Sequence, residues 1–474
     1  MRNNLSFPLL LCTLLCCMTA GAQPVSKVPF RTTIKTDIEL PASVDNSTLK
    51  YFPPIINQSG GSCAQAAGIA YMLTYEVNRL LDRDASASAD NRLSYMFAWN
   101  MLNDGEDQGG FVSQGLQLAR QYGIMTEQDY GYLRMFKWVN GYEKYVRAMR
   151  HRVATIYTYD DSVSLMKRYL YDKGDGSATG GVLTFSGQSQ GWDIENYQGP
   201  SETGYHALLT SLATGGSHAM TIVGYDDRVT YTDHHGQRHD GAFIVVNSWG
   251  DDWQDRGHFY LPYDFFRDPT VSSLVLSNTV EGCTVRIHEP QVVLRLTIDY
   301  SSRDDLSFST GLSTQVTTNR PLQMRTSNAF RNQGGDLPMQ GYMLPGEIEL
   351  AIDLTEQMDS TKDYAQYWLD IVRGYRGKQK GEGRLVSLSV VDLRTPVAKE
   401  YPCRNALPQA LTDGDNYFRI PLQPRYTLPA SPYRYDQGDD TFLLRTTDGH
   451  PSKVQFENVN EQNQTITIRY EVKE

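Results

Sequence analysis

The residue best suited to covalent chemistry is Cys63, which follows a loop containing Gly60 and Gly61. Glycine allows a tight turn with an exposed backbone, and Ser62 is of a type that commonly caps a helix. Apolar residues then recur at helical spacing over 66–81, which predicts a core helix that begins at Cys63. A helix start favours a thiolate, the nucleophile of covalent acyl transfer. The alternative is a buried cysteine at the start of a core helix.

A thiolate needs a base, and the base needs a partner that orients its ring. His218 opens a β run over 219–225, so we expect its imidazole at the entrance of a strand. Asn247 ends the next β run, over 242–246, and adjacent strands would bring the two side chains together. The Asn carbonyl would then accept from one ring nitrogen while the other faces sulfur, and Trp249 would shield that bond. The alternatives are a structural histidine and a strand-end cap.

Three blocks carry a family resemblance: Gly61-Ser62-Cys63, Ser217-His218-Ala219 and Asn247-Ser248-Trp249-Gly250. In this order they resemble the segments around the Cys, His and Asn of papain-like cysteine peptidases. The resemblance covers roughly residues 40–282. It implies a two-lobed α+β fold with a substrate cleft between a helical lobe and a β lobe.

The resemblance also implies a role for each residue. Cys63 would be the nucleophile, His218 the general acid and base, and Asn247 the residue that orients the imidazolium. The Cys63 amide and the Gln58 side chain would form the oxyanion hole, which stabilises the charge of the transition state. The substrate-binding residues that it implies are Gly109, Gly110, Ala219 and Trp249.

The chain departs from the family pattern beside the nucleophile. One residue fewer than usual separates Gln58 from Cys63, so Gln58 reaches the hole by another path, the hole is weaker, or Gln58 is a surface-loop residue. Ala64 replaces the usual aromatic residue, and Gly60 and Gly61 occupy the region where the family often has a disulfide-bonded Cys. No long inhibitory propeptide is expected before the peptidase segment.

Other residues compete for chemical roles. A polar cluster in the expected hairpin arm over 226–241 invites a metal interpretation: Asp233, His234, His235, His239 and Asp240. A solvated loop is the preferred interpretation, so no metal and no cofactor are predicted. His206 ranks below His218 as a base because it does not open an apolar strand. No Gly-x-Ser-x-Gly segment stands at a strand-to-helix turn, which argues against a serine nucleophile.

The elements that must position these residues change character along the chain. Helices are predicted over 63–81, 94–101, 113–122 and 162–171, and strands over 153–159, 181–185, 219–225, 242–246 and 257–261. A largely helical half followed by a β half predicts two lobes, and clefts between lobes are common substrate sites.

After about Cys283, apolar residues alternate along several segments separated by Gly, Pro and Asp loops. This period predicts strands of a β-sandwich, for example over 292–300, 348–354, 386–390 and 466–472. The predicted fold class is therefore α+β, a papain-like fold followed by an all-β, sandwich-like domain. That domain is expected to be an accessory module and a candidate for binding a protein or glycan.

The N-terminus has the form of a secretory signal, with Arg2, an apolar run and the small residues Ala20-Gly21-Ala22. The run is too short for a membrane span, and no lipid anchor is expected because Cys16 and Cys17 lie inside it. The predicted segments are a signal peptide over 1–22, a linker over 23–39, the peptidase domain over 40–282 and the β domain over 283–474. The protein is expected to be exported, as a secreted, periplasmic or cell-surface protein of bacterial origin.

Cysteine usage and charge narrow the function further. After removal of the signal, Cys63, Cys283 and Cys403 remain, and the last two either form one bridge or stay free. Cys63 is the odd one out, which fits a reactive thiol. A net charge of −11 argues against nucleic acid or an anionic membrane as the main partner.

The predicted function is hydrolysis of peptide bonds in a polypeptide substrate through a Cys63 thioester. Two alternatives use the same residues differently. The first is a catalytically silent papain-like protein that binds or adheres through its β domain. The second is an acyltransferase that passes the acyl group to an amine instead of water.

Overall fold

The computed structural model describes residues 28–29, 38–160, 162–211, 215–232, 236–267, 279–315, 324–326, 334–359, 361–362, 364–374, 381–422, 434–436, 441–445, 451–460 and 465–470. The chain divides into two compact units, residues 1–421 and 422–474. The predicted signal peptide lies outside the described residues. Within the described ranges, no helix combines the length and apolar character that a membrane span requires.

A helix that starts at Cys63 lies at the centre of the first unit. It consists of α1 (Cys63–Gln65), a π-helical segment (Ala66–Leu73) and α2 (Thr74–Leu81). Every residue from 64 to 78 is buried, so the predicted apolar stripe is only part of a helix that is enclosed on all sides. Leu80 and Leu81 are exposed, which the stripe did not predict.

The remaining helices surround this one or cover the sheet. They are α3 (Tyr95–Leu102), α4 (Val112–Tyr122), α5 (Glu127–Tyr130), α6 (Tyr142–Ala148), α7 (Val163–Asp172) and α8 (Asp264–Arg267). The helices predicted over 94–101, 113–122 and 162–171 correspond to α3, α4 and α7. The short helices α5, α6 and α8 were not predicted, because four to seven residues give too little periodicity to detect.

The β lobe is one mixed sheet. Its strands are β1 (Val28–Pro29), β2 (Ser43–Asp45), β3 (His151–Asp160), β4 (Leu183–Gly187), β5 (Asp193–Asn196), β6 (Ala207–Ser211), β7 (His218–Thr232), β8 (Arg238–Val246), β9 (His258–Pro262) and β10 (Thr279–Ile287). Their order is β1-β3-β10-β4-β7-β8-β9-β6-β5, with β2 paired to β7. The long antiparallel pair β7–β8 contains the predicted hairpin arm. His218 at the start of β7 and Asn247 just beyond the end of β8 lie at the same end of this pair.

The core of this lobe lies between α7 and the sheet. It is apolar and aromatic and includes Met166, Tyr169, Leu183, Ile222, Phe243, Phe259 and Val280. Burying large aromatic side chains contributes strongly to stability. The pair β7–β8 crosses this core, so the strands that carry the site are among the most firmly packed.

The rest of the first unit is β-rich, as predicted. One antiparallel sheet contains β11 (Val292–Tyr300), β14 (Ile348–Asp353), β16 (Gly383–Asp392), β17 (Lys399–Pro402) and β18 (Gln409–Ala410). A second contains β12 (Leu306–Ser313), β13 (Met324–Thr326), β15 (Gln366–Arg373) and β19 (Gly414–Pro421). The alternating apolar residues of β11 are buried, so the α+β fold class with a β-rich C-terminal part is confirmed.

This β-rich part packs directly on the papain-like part. Arg303 is fully buried and donates to the Phe136 carbonyl at 2.9 Å and to the Gly334 carbonyl at 2.6 Å. Its guanidinium lies 4.6 Å from the centre of the Trp138 ring. Because these partners come from both sides of residue 283, the two parts share a buried polar contact.

A second contact joins β3 to the end of β14. Arg152 pairs with Asp353, whose carboxylate also accepts from His288 Nε2 at 2.7 Å. Burial opposes ionisation of Asp353, but the His288 hydrogen bond and the Arg152 charge outweigh it and hold its pKa at about 2. The domain boundary predicted at 282/283 falls inside β10 and stays a prediction.

The second unit, residues 422–474, contains one antiparallel sheet. Its strands are β20 (Arg434–Asp436), β21 (Thr441–Arg445), β22 (Pro451–Asn460) and β23 (Thr465–Tyr470). They pair in chain order, which is the arrangement that short connections favour.

Candidate active site

The thiol of Cys63 lies at the first residue of α1 and is partly buried. Ser62 occupies the position before the helix, but its hydroxyl donates to the Ser59 carbonyl at 2.7 Å and makes no side-chain cap. The predicted Ser62 cap is therefore wrong, because the hydroxyl closes the preceding loop.

Cys283 and Cys403 are free as well, so they do not form a bridge. Burial raises the pKa of the Cys283 thiol far above its usual value.

His218 and Asn247 meet as predicted. His218 is the first residue of β7, Asn247 follows β8, and the two strands pair at Thr221 and Val246. His218 Nε2 lies 2.7 Å from Asn247 Oδ1. Both side chains are buried, with 4% of His218 and none of Asn247 exposed. This geometry assigns Nε2 to Asn247 and leaves Nδ1 for another partner.

β7 also contacts the central helix near the cysteine. Thr221 Oγ1 donates to the Ala67 carbonyl at 3.2 Å, one helical turn beyond Cys63. Thr221 lies three residues after His218 on the same strand. The contact therefore brings the strand of the imidazole against the helix of the thiol.

Asn247 is fixed by its backbone as well as by its side chain. Its amide donates to the Gly257 carbonyl at 2.8 Å, and its carbonyl accepts from Tyr71 Oη at 3.0 Å. The same Tyr71 hydroxyl accepts from the Ile56 amide at 2.9 Å. Tyr71 thus connects the central helix, the lead-in to the Cys63 loop and the Asn247 turn.

Tryptophan rings cover the His–Asn hydrogen bond. The Trp249 ring stacks on the His218 ring with centroids 4.8 Å apart and an interplanar angle of 25°. Trp192 packs on Trp249 at 5.5 Å and lies 6.4 Å from the imidazole. Burial lowers the pKa of His218, and the hydrogen bond with Asn247 opposes that effect. The imidazole is therefore neutral, and able to accept a proton, at neutral pH.

Gln58 lies in the Cys63 loop, where its side chain makes two hydrogen bonds. Its Nε2 donates to the Gly60 carbonyl at 2.9 Å, and its Oε1 accepts from Ser248 Oγ at 2.6 Å. The Gln58 amide also donates to the Ser248 carbonyl at 2.8 Å. Gln58 thus ties the loop before Cys63 to the segment after Asn247, and its role in an oxyanion hole stays a prediction.

The residues predicted to bind substrate lie on both sides of this arrangement. Gly109 and Gly110 are exposed, and the loop that carries them approaches Gly61 so closely that an added Cβ at Gly61 would lie 2.8 Å from the Gln108 carbonyl carbon. Ala219 is buried next to His218, and Trp249 is half-buried. Their contact with a substrate stays a prediction.

The competing residues lie apart from this group. His206 is exposed just before β6, and its ring Nδ1 lies 3.0 Å from the Tyr197 carbonyl oxygen. His239 pairs with Asp264 at 2.5 Å and stacks on Tyr231, while Asp233, His234 and His235 lie outside the described residues. Among the described ranges, no group of three His, Cys, Asp or Glu residues has the geometry of a metal site.

Sequence reasoning missed the contacts that three residues make at the site: Tyr71, Trp192 and Ser248. Each acts through a contact between segments that are far apart in the chain, and no local motif marks such a contact. Two of them carried a signal: Ser248 stands in the Asn247 block, and Trp192 is a large aromatic residue among polar neighbours.

Comparison with known proteins gives a family match for the first part of the chain. Residues 40–270 match the model of the papain family cysteine proteases. This match confirms the papain-like resemblance that the sequence predicts for this segment. An uncharacterized peptidase C1-like protein, L477 of Acanthamoeba polyphaga mimivirus, is 28% identical over 225 residues, which are 45% of this chain and 65% of the viral protein. The match therefore spans less than two thirds of that relative.

Solved structures of the same kind are more distant. The cysteine protease xylellain from Xylella fastidiosa is 16% identical, with a TM-score of 0.39, and the match covers 55% of this chain and 91% of xylellain. Digestive procathepsin L 3 from the larval midgut of Tenebrio molitor is 16% identical, with a TM-score of 0.38, and the match covers 56% of this chain and 75% of the procathepsin.

Proposed function

We propose that this protein is a cysteine peptidase that cleaves polypeptides through a thioester on Cys63. The observation that carries the proposal is the buried 2.7 Å hydrogen bond between His218 Nε2 and Asn247 Oδ1. His218 lies on strand β7, and this strand contacts the helix that begins at Cys63. This is the order of groups that nucleophilic acyl transfer needs: a thiol, a base and a residue that orients the base.

In the proposed first step, His218 Nδ1 takes the Cys63 proton and the sulfur attacks the peptide carbonyl carbon. The tetrahedral oxyanion is stabilised by the Cys63 amide and the Gln58 side chain. The imidazolium then gives its proton to the leaving amine, and the C–N bond breaks to form the thioester.

In the second step, a water molecule gives a proton to His218 and attacks the thioester. The carboxylic acid leaves, and the proton returns to sulfur. Asn247 keeps the imidazole ring in the plane that serves both steps, and the Trp249 ring excludes water from that hydrogen bond. Gly109, Gly110 and Ala219 are proposed to contact the substrate chain.

The proposal extends to export and to the C-terminal part. The signal-like residues 1–22 are proposed to direct the protein out of the cytoplasm. The β-rich part after residue 283 is proposed to act as an accessory module and not to take part in the chemistry.

A thiol-directed irreversible peptidase probe and a mapped peptide library test the function together. We expect the probe to label the wild-type protein, and cleavage to appear in the library. Cys63→Ala should lose both, whereas Cys403→Ala, which removes another partly buried free thiol, should keep both.

Three results would contradict the proposal. Library cleavage by Cys63→Ala would exclude this nucleophile, and a wild-type protein that neither reacts nor cleaves would favour the binding-only alternative. Amide products that appear only when amines are added would favour acyl transfer.

A further inference from the structure

The loop before Cys63 is held by a side chain from a distant segment. Asp107 Oδ1 accepts a hydrogen bond from the Gly61 amide at 2.6 Å, two residues before the cysteine. Gly60 has a φ of +58° and lies against the same carboxylate, since an added Cβ there would be 2.3 Å from Asp107 Oδ1. Only glycines allow the backbone and the carboxylate to approach this closely.

No covalent link fixes this loop in the described part of the chain, where Cys63, Cys283 and Cys403 are all free. The loop is also short of side chains that could anchor it, because two of its residues are glycines. Its position therefore depends on hydrogen bonds such as the one from Gly61 to Asp107.

The segment that carries Asp107 is itself fixed at its far end. Gln65, which is 1% exposed, donates from Nε2 to the Phe111 carbonyl at 3.2 Å. Trp99 Nε1 donates to the Gln108 carbonyl at 3.0 Å. These hydrogen bonds attach the residues from Asp107 to Phe111 to α1 and α3. The segment that carries the Asp107 carboxylate is therefore held in place.

The β-rich part contacts the same segment at Asp104 and Gly105. Gly105 and Gly335 lie in backbone contact, because an added Cβ at Gly105 would be 2.9 Å from the Gly335 Cα. An added Cβ at Gly335 would be 2.2 Å from the Asp104 carbonyl oxygen. Gly335 is therefore linked to Gly61 through its contact with Gly105, the short chain segment from Gly105 to Asp107, and the Asp107 hydrogen bond.

We propose that Asp107 is a positioning residue that sets the conformation of the Cys63 loop. Its carboxylate holds the Gly61 amide, and Gly335 of the β-rich part keeps the Asp107 segment in place. The inference rests on the proposed function, since a positioned nucleophile matters only where Cys63 reacts.

The effect follows from the strength and the exposure of this hydrogen bond. A carboxylate is a stronger acceptor than a neutral oxygen, and its bonds to N–H groups are short. Asp107 is exposed, so water replaces the lost partner and the fold survives its removal. Loss of the carboxylate instead shifts the Cys63 thiol, and small misplacements of a reacting group slow catalysis strongly.

Three variants test the proposal: Asp107→Ala removes the acceptor, Asp107→Asn keeps a neutral oxygen, and Asp175→Asn is the matched control. Asp175 also accepts from a backbone amide in an exposed turn, that of Ser177 at 3.0 Å. The measurements are kcat and KM on a cleaved peptide, the rate of Cys63 alkylation by iodoacetamide, and hydrogen exchange of the Gly61 amide.

We expect kcat to fall about tenfold in Asp107→Ala and about threefold in Asp107→Asn, with KM changed less than about twofold. Hydrogen exchange of the Gly61 amide should be fastest in Asp107→Ala, intermediate in Asp107→Asn and slowest in the wild type. The rate of Cys63 alkylation should differ from that of the wild type in both variants. Asp175→Asn should match the wild type in all three measurements.

Unchanged exchange at Gly61 in Asp107→Ala would overturn the proposal, as would faster exchange with an unchanged kcat. If the wild-type protein cleaves no peptide, the proposed function fails. Exchange and alkylation would still report whether Asp107 holds the loop.

Discussion

The two sides of the candidate site are built in different ways. The imidazole side is buried: His218 and Asn247 lie at the ends of paired strands beneath Trp249. The thiol side is open: Cys63 is partly buried, and the residues from Glu106 to Phe111 beside its loop are exposed. The His218–Asn247 hydrogen bond is thus shielded from water, while the loop beside the Cys63 thiol is exposed to solvent.

The difference also concerns what fixes each side. Strand pairing and aromatic packing hold the imidazole, and these depend on many residues at once. A small set of hydrogen bonds made by Gln58, Ser62 and Asp107 holds the thiol loop. We therefore expect the imidazole side to tolerate peripheral substitutions, and the thiol side to respond to single changes at a distance.

The largest effect is expected from His218→Ala, which removes the proposed base. General acid–base catalysis contributes about 10²–10⁴-fold, so kcat/KM on a cleaved peptide should fall about 10³-fold. His206→Ala, which changes an exposed histidine just before β6, is the control and should keep most of the activity. A His218→Ala variant that keeps its activity would show that His218 is not the base.

The next effect concerns the tryptophan cover. Because burial lowers the pKa of His218, Trp249→Ala should raise that pKa toward the usual value of about 6.5. Water would also reach the bond to Asn247, so kcat should fall about tenfold, the equivalent of one net hydrogen bond. An NMR titration of the imidazole protons measures the shift directly.

Trp253→Phe is the control for this prediction, since it keeps an aromatic ring against Trp249 and should move the pKa little. A His218 pKa that stays constant in Trp249→Ala would mean that the strands alone exclude water. The contrast between a covered and an open side would then be weaker than proposed.

The same contrast explains what the sequence could predict. Cys63, His218 and Asn247 stand in short blocks whose local pattern sets the start of a helix or the end of a strand, and the His–Asn contact follows from strand pairing. The contacts of Tyr71 with Asn247 and of Asp107 with Gly61 join segments 176 and 46 residues apart. No periodicity or motif encodes them, because they depend on how loops and helices pack in three dimensions.

A smaller effect is expected where the β-rich part meets the thiol side. Gly335→Ala would place a Cβ 2.2 Å from the Asp104 carbonyl and shift the Asp107 segment. We expect kcat to fall about threefold and the melting temperature to decrease by a few degrees, since left-handed backbone costs a non-glycine residue about 1–2 kcal/mol.

Gly414→Ala is the matched control, because Gly414 has a similar φ of +80° but open space around its Cα. It should show the loss of stability without the loss of kcat. Equal kcat in the two variants would mean that the β-rich part gives no support to the Cys63 loop.

The smallest expected effect is on the pH dependence of stability, and it compares a histidine that is only buried with one that is buried and hydrogen-bonded. His151 in β3 is largely buried beside the charges of Arg83 and Arg150, and burial, helped by those charges, lowers its pKa to about 4. The unfolded chain binds this proton at about pH 6.5, so the folded protein loses stability as the pH falls from 6.5 to 4. The pKa of His218 falls for the same reason, but its bond to Asn247 opposes the shift.

Urea unfolding of wild type and His151→Gln at pH 7 and pH 4.5 tests this difference. The variant should lose less stability between the two pH values, whereas His206→Gln, at an exposed position, should behave like the wild type. A parallel loss in wild type and His151→Gln would show that other groups set the acid limit. In that case the burial of His151 contributes little to the pH dependence of stability.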